Sequence, residues 1–193
     1  MSKYITVLTH LSYYDLDTAL SDLIKQNIIK PDFNQLCINT TPHEINNPYF
    51  GAGSLIYDWG NATKTVDEYG KEHFYLPKRD NPPEEGDFTH ICSQFQNTLF
   101  EDAINELKKY YNLGRVRLIN QKPKTCLSWH TDTTKRIHYP IRTQKGAFMI
   151  IEDELFHLEK NVWVYTNTLV EHTSLNSSYL SRIHLVANVL KEK

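Results

Sequence analysis

Apolar residues recur every three to four positions in two stretches of this chain and every second position in several others. Leu16, Ala19, Leu20, Leu23 and Ile24 form one helical stripe, which predicts a helix over residues 15–27 with Asp15 as its cap. Phe95, Leu99, Ala103, Ile104, Leu107 and Tyr110 form a second stripe, which predicts a helix over 91–111 with Gly114 as its stop. Beyond Gly114 the helical period gives way to short β-rich runs. They cover 115–121, 126–131, 136–142, 146–152, 162–166 and 181–190, with turn residues between them. Such spacing predicts antiparallel strands in a sandwich or barrel. A short strand is also expected within 34–40. Helices first and strands afterwards predict helices packed on one face of a β core.

Between residues 41 and about 86 the pattern breaks down. Proline, glycine and asparagine punctuate this stretch, and a hairpin is expected around Gly70, between 66–69 and 73–76. Long loops in compact domains usually carry function. Tyr49, Phe50, Tyr57, Trp59, Tyr69, Phe74 and Tyr75 make this one too aromatic for a disordered linker. Segments 48–51 and 57–59 are candidate linings of a substrate pocket; packing under the loop is the plainer role for the same aromatics.

Composition narrows the class. The chain has 193 residues, 40% hydrophobic and 23% charged, which is ordinary for a soluble domain. One catalytic domain over 1–193 is expected, with helices and substrate-side loops in 1–114 and the β core with its metal site in 115–193. A formal net charge of −2 provides no basic field, so no nucleic-acid partner is expected. No run is apolar enough to span a bilayer, so no membrane association is expected. The first ten residues lack the signature of a signal peptide. Three widely spaced cysteines, Cys37, Cys92 and Cys126, suit a reducing cytoplasm better than a disulfide framework.

The chemistry starts at Trp129-His130-Thr131-Asp132. In a strand, alternate side chains share a face, so His130 and Asp132 are expected to point the same way. His172 supplies a second imidazole. Two imidazoles and a carboxylate on one side of a metal leave three positions open, the ligand set of iron(II) sites that activate oxygen. Arg182 sits ten residues later among Ile183, Leu185 and Val186. A guanidinium on a strand packed against a core needs an anion. The distal carboxylate of 2-oxoglutarate offers a bidentate match. In the run 135–142, Arg136, His138 and Arg142 are expected on one face and Ile137, Tyr139 and Ile141 on the other. The first face would line a cavity for a dianion.

These residues, in this order, resemble the aspartyl/asparaginyl β-hydroxylase family of iron(II)- and 2-oxoglutarate-dependent oxygenases. The features are His130-x-Asp132, Arg136-x-His138, His172 followed by Asn176 and Ser177, and Arg182, over about residues 115–189. The resemblance implies a mainly β fold, a double-stranded β-helix with N-terminal helices on its larger sheet. It implies His130, Asp132 and His172 as catalytic iron ligands, and Arg182, Arg136 and His138 as 2-oxoglutarate contacts. Fe(II), 2-oxoglutarate and O2 would be the cofactor and co-substrates. The family's namesake lacks a carboxylate ligand; with Asp132, this chain looks closer to bacterial members such as free-proline hydroxylases. The implied reaction is hydroxylation of an amino-acid C–H bond, free or in a protein. A non-catalytic cupin-like metal- or ligand-binding module is the alternative, and oligomeric state is not readable.

Overall fold

The structure is a computed structural model describing residues 2–58 and 61–193. Trp59, one of the expected pocket linings, lies outside the described residues. Helix α1 spans Leu16–Lys25, and Asp15 caps it by accepting the Thr18 N–H. Its stripe of Leu16, Leu20 and Leu23 is buried. Helix α2 spans Leu99–Tyr110, shorter than the predicted 91–111. The preceding residues instead form strand β6 (His90–Ile91) and a 3-10 turn at Ser93–Phe95. Asn97 then adopts φ 58°, which interrupts any continuous helix, and Thr98 caps α2 by accepting the Phe100 N–H.

Gly114 is not the stop of α2. The helix passes directly into strand β7 (Tyr111–Gln121), and Gly114 lies inside that strand. A Cβ there would meet Glu85 Oε2 at 2.6 Å, so the glycine makes room for a carboxylate. Glu85 accepts from the Arg115 N–H at 2.8 Å, from Arg115 Nε at 2.9 Å and Nη2 at 2.7 Å, and from Asn188 Nδ2 at 2.8 Å. Burial alone would raise the Glu85 carboxyl's pKa. The hydrogen bond and charge of Arg115 outweigh burial and hold it below the usual range. Glu85→Gln strands a buried guanidinium and is expected to cost roughly 3 kcal/mol at neutral pH. Because the folded pKa is depressed, the ion pair's contribution is lost as pH falls through that value. The stability gap between wild type and variant should therefore close in acid, which denaturant melts at neutral and acid pH would measure.

The larger sheet runs in the order β1 (Ile5–Val7), β12 (Val164–Thr166), β9 (Lys135–Arg142), β14 (Arg182–Glu192), β7 and β2 (Gln35–Cys37). The smaller sheet runs β11 (Glu154–Phe156), β10 (Ala147–Ile151), β13 (His172–Asn176) and β8 (Thr125–Cys126). All these pairings are antiparallel, as the strand spacing predicted, and the two sheets form the cupin-like double-stranded β-helix that the resemblance implied. Strand β13 falls in none of the predicted runs, and 126–131 is strand only at its first residue, with an isolated bridge at His130. Strands β1 and β2, from the N-terminal part, provide both edges of the larger sheet. Strand β3 (Asn39–Thr40) pairs with β6. The hairpin around Gly70 forms as β4 (Thr63–Val66) and β5 (Glu72–Tyr75), a few residues outward from its predicted position on the N-terminal side.

Both helices lie on the larger sheet. Leu16, Leu20, Phe100 and Ile104 pack with Val116, Leu118, Ile137, Tyr139, Ile183 and Leu185 in one buried cluster. Trp163 joins it and donates its indole N–H to the Ser12 carbonyl at 2.8 Å, whereas Trp129 is exposed. Among the described residues no helix is long and apolar enough to cross a membrane.

Candidate functional site

The central strands of the larger sheet have two unlike faces. On β9, β14 and β7, the residues facing the helices are apolar and buried. Their alternates are Arg136 and His138; Arg182 and His184; and Arg115, Arg117 and Gln121. Polar groups of this kind on an inner face need ligands or one another. They line a cavity of about 620 Å³ that also takes in Met149, His172 and Ser174 of the smaller sheet.

Arg142 does not share that face, contrary to the alternation expected for 135–142. Ile183 pairs with Arg142 while His184 pairs with Pro140, so one extra residue of β9 is inserted at Ile141. This β-bulge resets the alternation. Arg142 turns to α1, where Nε donates to Asp17 Oδ1 at 2.7 Å and Nη2 to Ser21 Oγ at 2.9 Å.

At one end of the cavity, ligand atoms of His130, Asp132 and His172 lie within 4.8 Å of one another. The main chains of His130 and His172 pair across a bridge, with N–H to carbonyl distances of 3.1 and 3.0 Å. Each imidazole bends back so that its Nδ1 meets the carbonyl two residues earlier: Ser128 at 2.8 Å and Val170 at 2.9 Å. Donating from Nδ1 fixes the tautomer and leaves both Nε2 atoms with a free lone pair. His172 Nε2 is 3.2 Å from Asp132 Oδ2, and His130 Nε2 is 4.0 Å from Asp132 Oδ1. Adjacent ligands around one ion stand about 3 Å apart, given metal–ligand bonds of about 2.1 Å.

The carboxylate is prepared for such a role. Arg136 Nη2 donates to Asp132 Oδ1, while Oδ2 is buried without a hydrogen-bond partner. Burial alone would raise the Asp132 pKa. The His172 contact and the Arg136 charge together outweigh burial and keep the group ionised below the ordinary aspartate range. Two imidazole nitrogens and an orphaned carboxylate oxygen converging on one point fit a divalent metal of the iron or zinc type.

The rest of the cavity is cationic. Arg182, 6% exposed, donates from Nη1 to Gln121 Oε1 at 3.0 Å and to Ser174 Oγ at 2.6 Å, and lies along the His184 ring at 3.0 Å. Among the described residues, no carboxylate pairs with it. Burial lowers its pKa only to about 10, so it stays charged. His138 and His184 are driven well below the usual histidine pKa, first by burial and then by Arg182, and are neutral. Both ring nitrogens of His138 lack a partner among the described residues.

The profile of aspartyl/asparaginyl beta-hydroxylases matches residues 57–192. The chain belongs to the aspartyl/asparaginyl β-hydroxylase family. Among solved structures this β-hydroxylase-family chain is similar to an oxidoreductase of the 2OG-Fe(II) oxygenase family from Burkholderia pseudomallei, at 11% identity, covering 88% of this chain and 89% of that one, with TM-score 0.40. It is similar to a cupin domain from Bordetella pertussis Tohama I at 18% identity, covering 40% and 81%, with TM-score 0.35. Rhodobacter sphaeroides SigE in complex with the anti-sigma ChrR matches at 19% identity, covering 38% of each chain, with TM-score 0.30. No curated protein resembles the chain closely enough to count as a relative.

The six residues expected as metal or co-substrate contacts of this family member, His130, Asp132, His172, Arg136, His138 and Arg182, line one cavity, and Arg142 does not. Gln121, Ser174 and Glu85 escaped notice, because a polar uncharged side chain, or a glutamate in a loop, carries no pattern of its own. The signal that could have found Gln121 is its place in the Arg115, Arg117 alternation.

Proposed function

We propose that this β-hydroxylase-family chain is an Fe(II)- and 2-oxoglutarate-dependent dioxygenase that hydroxylates an amino-acid C–H bond. Each turnover would consume the substrate, O2 and 2-oxoglutarate and release hydroxylated product, succinate and CO2. One observation supports this most directly. A buried guanidinium without a carboxylate partner among the described residues, Arg182, lines the same cavity as three convergent metal donors.

In this reading His130 Nε2, His172 Nε2 and Asp132 Oδ2 hold the iron, which when bound supplies the oxygen-activating chemistry through its open positions. Arg182 takes the distal carboxylate of 2-oxoglutarate as a bidentate pair. Gln121 and Ser174 hold that guanidinium in place. His138, neutral and with both ring nitrogens uncommitted, can give one N–H to the co-substrate. Arg136 steadies Asp132 and adds positive charge at the metal-facing end. The buried walls keep water from the reacting carbon. Residues 34, 35 and 53 also line the cavity, so the N-terminal part belongs to the same catalytic unit. The thiols of Cys37, Cys92 and Cys126 are all unbonded, in keeping with a reducing cytoplasm.

Anaerobic addition of Fe(II) and 2-oxoglutarate should give the weak visible charge-transfer band of such a chelate, and admitting air in the presence of an amino-acid substrate should release succinate. A chelator should remove both. Protein that binds Fe(II) yet shows neither band nor succinate would be a cupin-like binding module instead.

A further inference from the structure

The guanidinium of Arg182 is engaged on both of its sides. Nη1 donates to Gln121 Oε1 at 3.0 Å and to Ser174 Oγ at 2.6 Å. On the other side Nε donates to His184 Nε2 at 3.0 Å, and Nη2 stands 3.0 Å from His184 Nδ1. His184 thus presents the nitrogen–carbon–nitrogen edge of its ring to the Nε–Nη2 fork. A pair of acceptors side by side on that fork is what a carboxylate provides. The imidazole copies the outline but not the chemistry. Burial, and then the Arg182 charge, hold its pKa well below the usual histidine value, so the ring is neutral. A neutral ring has a single lone pair and a single N–H. Only one of the two contacts is therefore a hydrogen bond; in the other, an N–H faces an N–H.

The two sides are not held equally. Gln121 is fixed by its own amide, whose Nε2 donates to the Ser174 carbonyl at 2.8 Å and to the Thr125 carbonyl at 3.2 Å. The Ser174 hydroxyl in turn donates to Gln121 Oε1 at 2.5 Å. The His184 side chain, 1% exposed, has no hydrogen-bond partner other than Arg182 among the described residues. Its ring stands edge-on to that of His138, with centroids 5.8 Å apart, and both nitrogens of His138 lack partners there. The side of Arg182 that can open is the one His184 covers.

We propose that His184 holds the carboxylate position of the co-substrate and gives it up when 2-oxoglutarate binds. The distal carboxylate takes the Nε–Nη2 fork, where each of its oxygens finds a donor, while Gln121 and Ser174 keep Nη1 in place. The released ring turns toward His138 and gives its N–H to a lone pair there. His184 is then a positioning residue. It keeps a buried guanidinium partly satisfied between turnovers, and it sets how tightly the co-substrate is held. This inference rests on the oxygenase reading above.

The test compares 2-oxoglutarate affinity, read anaerobically with Fe(II) from the visible band, in wild type, His184→Ala and His184→Gln. With the ring gone the fork needs no exchange of partners. His184→Ala should therefore bind 2-oxoglutarate about 5-fold tighter, the worth of one hydrogen bond. His184→Gln keeps an acceptor on the fork and should stay near wild type. Imidazole nitrogen NMR spectra of the wild-type chain, with Zn(II) in place of iron, serve if the alanine variant folds poorly. Saturating 2-oxoglutarate should shift both ring nitrogens of His184, assigned by their absence from His184→Gln. Absence of the band in wild type would sink the oxygenase reading itself. With the band present, unchanged or weaker affinity in His184→Ala overturns the exchange, as do His184 ring signals that 2-oxoglutarate leaves in place; the ring would then be a fixed brace of Arg182.

Discussion

Replacing His172 with alanine is expected to abolish succinate release and to weaken Fe(II) binding by more than about 100-fold, since even outer partners of metal ligands cost 10- to 100-fold when removed. The side chain is buried, and its Nδ1 is tied to the Val170 carbonyl, which holds its Nε2 at the donor cluster. The bridge to His130 is made by main-chain atoms, so the pairing of β13 should persist in the variant. Anaerobic titration with Fe(II), followed through the band with 2-oxoglutarate, measures the loss. Undiminished affinity in a folded His172→Ala protein would remove the metal assignment altogether.

The second large effect concerns Arg182→Met. Affinity for 2-oxoglutarate should fall by a factor on the order of 100 to 1,000, in line with about 2–5 kcal/mol for truncating one side of a buried charge pair. The ligand-free protein should behave differently. Arg182 is buried there without a carboxylate partner among the described residues, so an apolar side chain of similar length removes a desolvation cost. Gln121 and Ser174 keep each other as partners through the Ser174 hydroxyl. The melting temperature without ligand should therefore stay level or rise. The stabilisation produced in wild type by saturating 2-oxoglutarate and metal should be lost. A variant that melts far lower without ligand would show Arg182 to be a structural brace, and the anion assignment would fall with it.

The contrast between helices and strands was readable because it depends on local spacing. The stripe from Leu16 to Leu23 and the stretch from Ala103 to Leu107 point to the core as their periods require, whereas Leu99 and Tyr110, expected in the second stripe, are exposed and Phe100 is buried instead. The helix boundaries were less readable. Asn97 in the left-handed region breaks the helix where the apolar period runs on, and Gly114 inside a strand answers to a neighbour distant in sequence, Glu85. Arg142 shows the same limit more sharply. Alternation from Arg136 predicts its face correctly until one inserted residue at Ile141, and the bulge becomes visible only once the partner strand β14 is aligned beside it.

The chain's own order of residues determined which chemistry was available: a His-x-Asp step, a distant histidine and arginines placed at alternate positions of apolar strands. Those features depend on the identity and spacing of side chains and survive any uncertainty about packing. Tertiary structure alone decided which charges cancel. Glu85 comes from a loop to neutralise Arg115, Asp17 comes from a helix to take Arg142, and Arg117 and Arg182 are left facing a cavity without an acid partner among the described residues. Pairing of this kind depends on distances of about 3 Å between groups tens of residues apart, and such distances are set when the sheets close, not by neighbours along the chain.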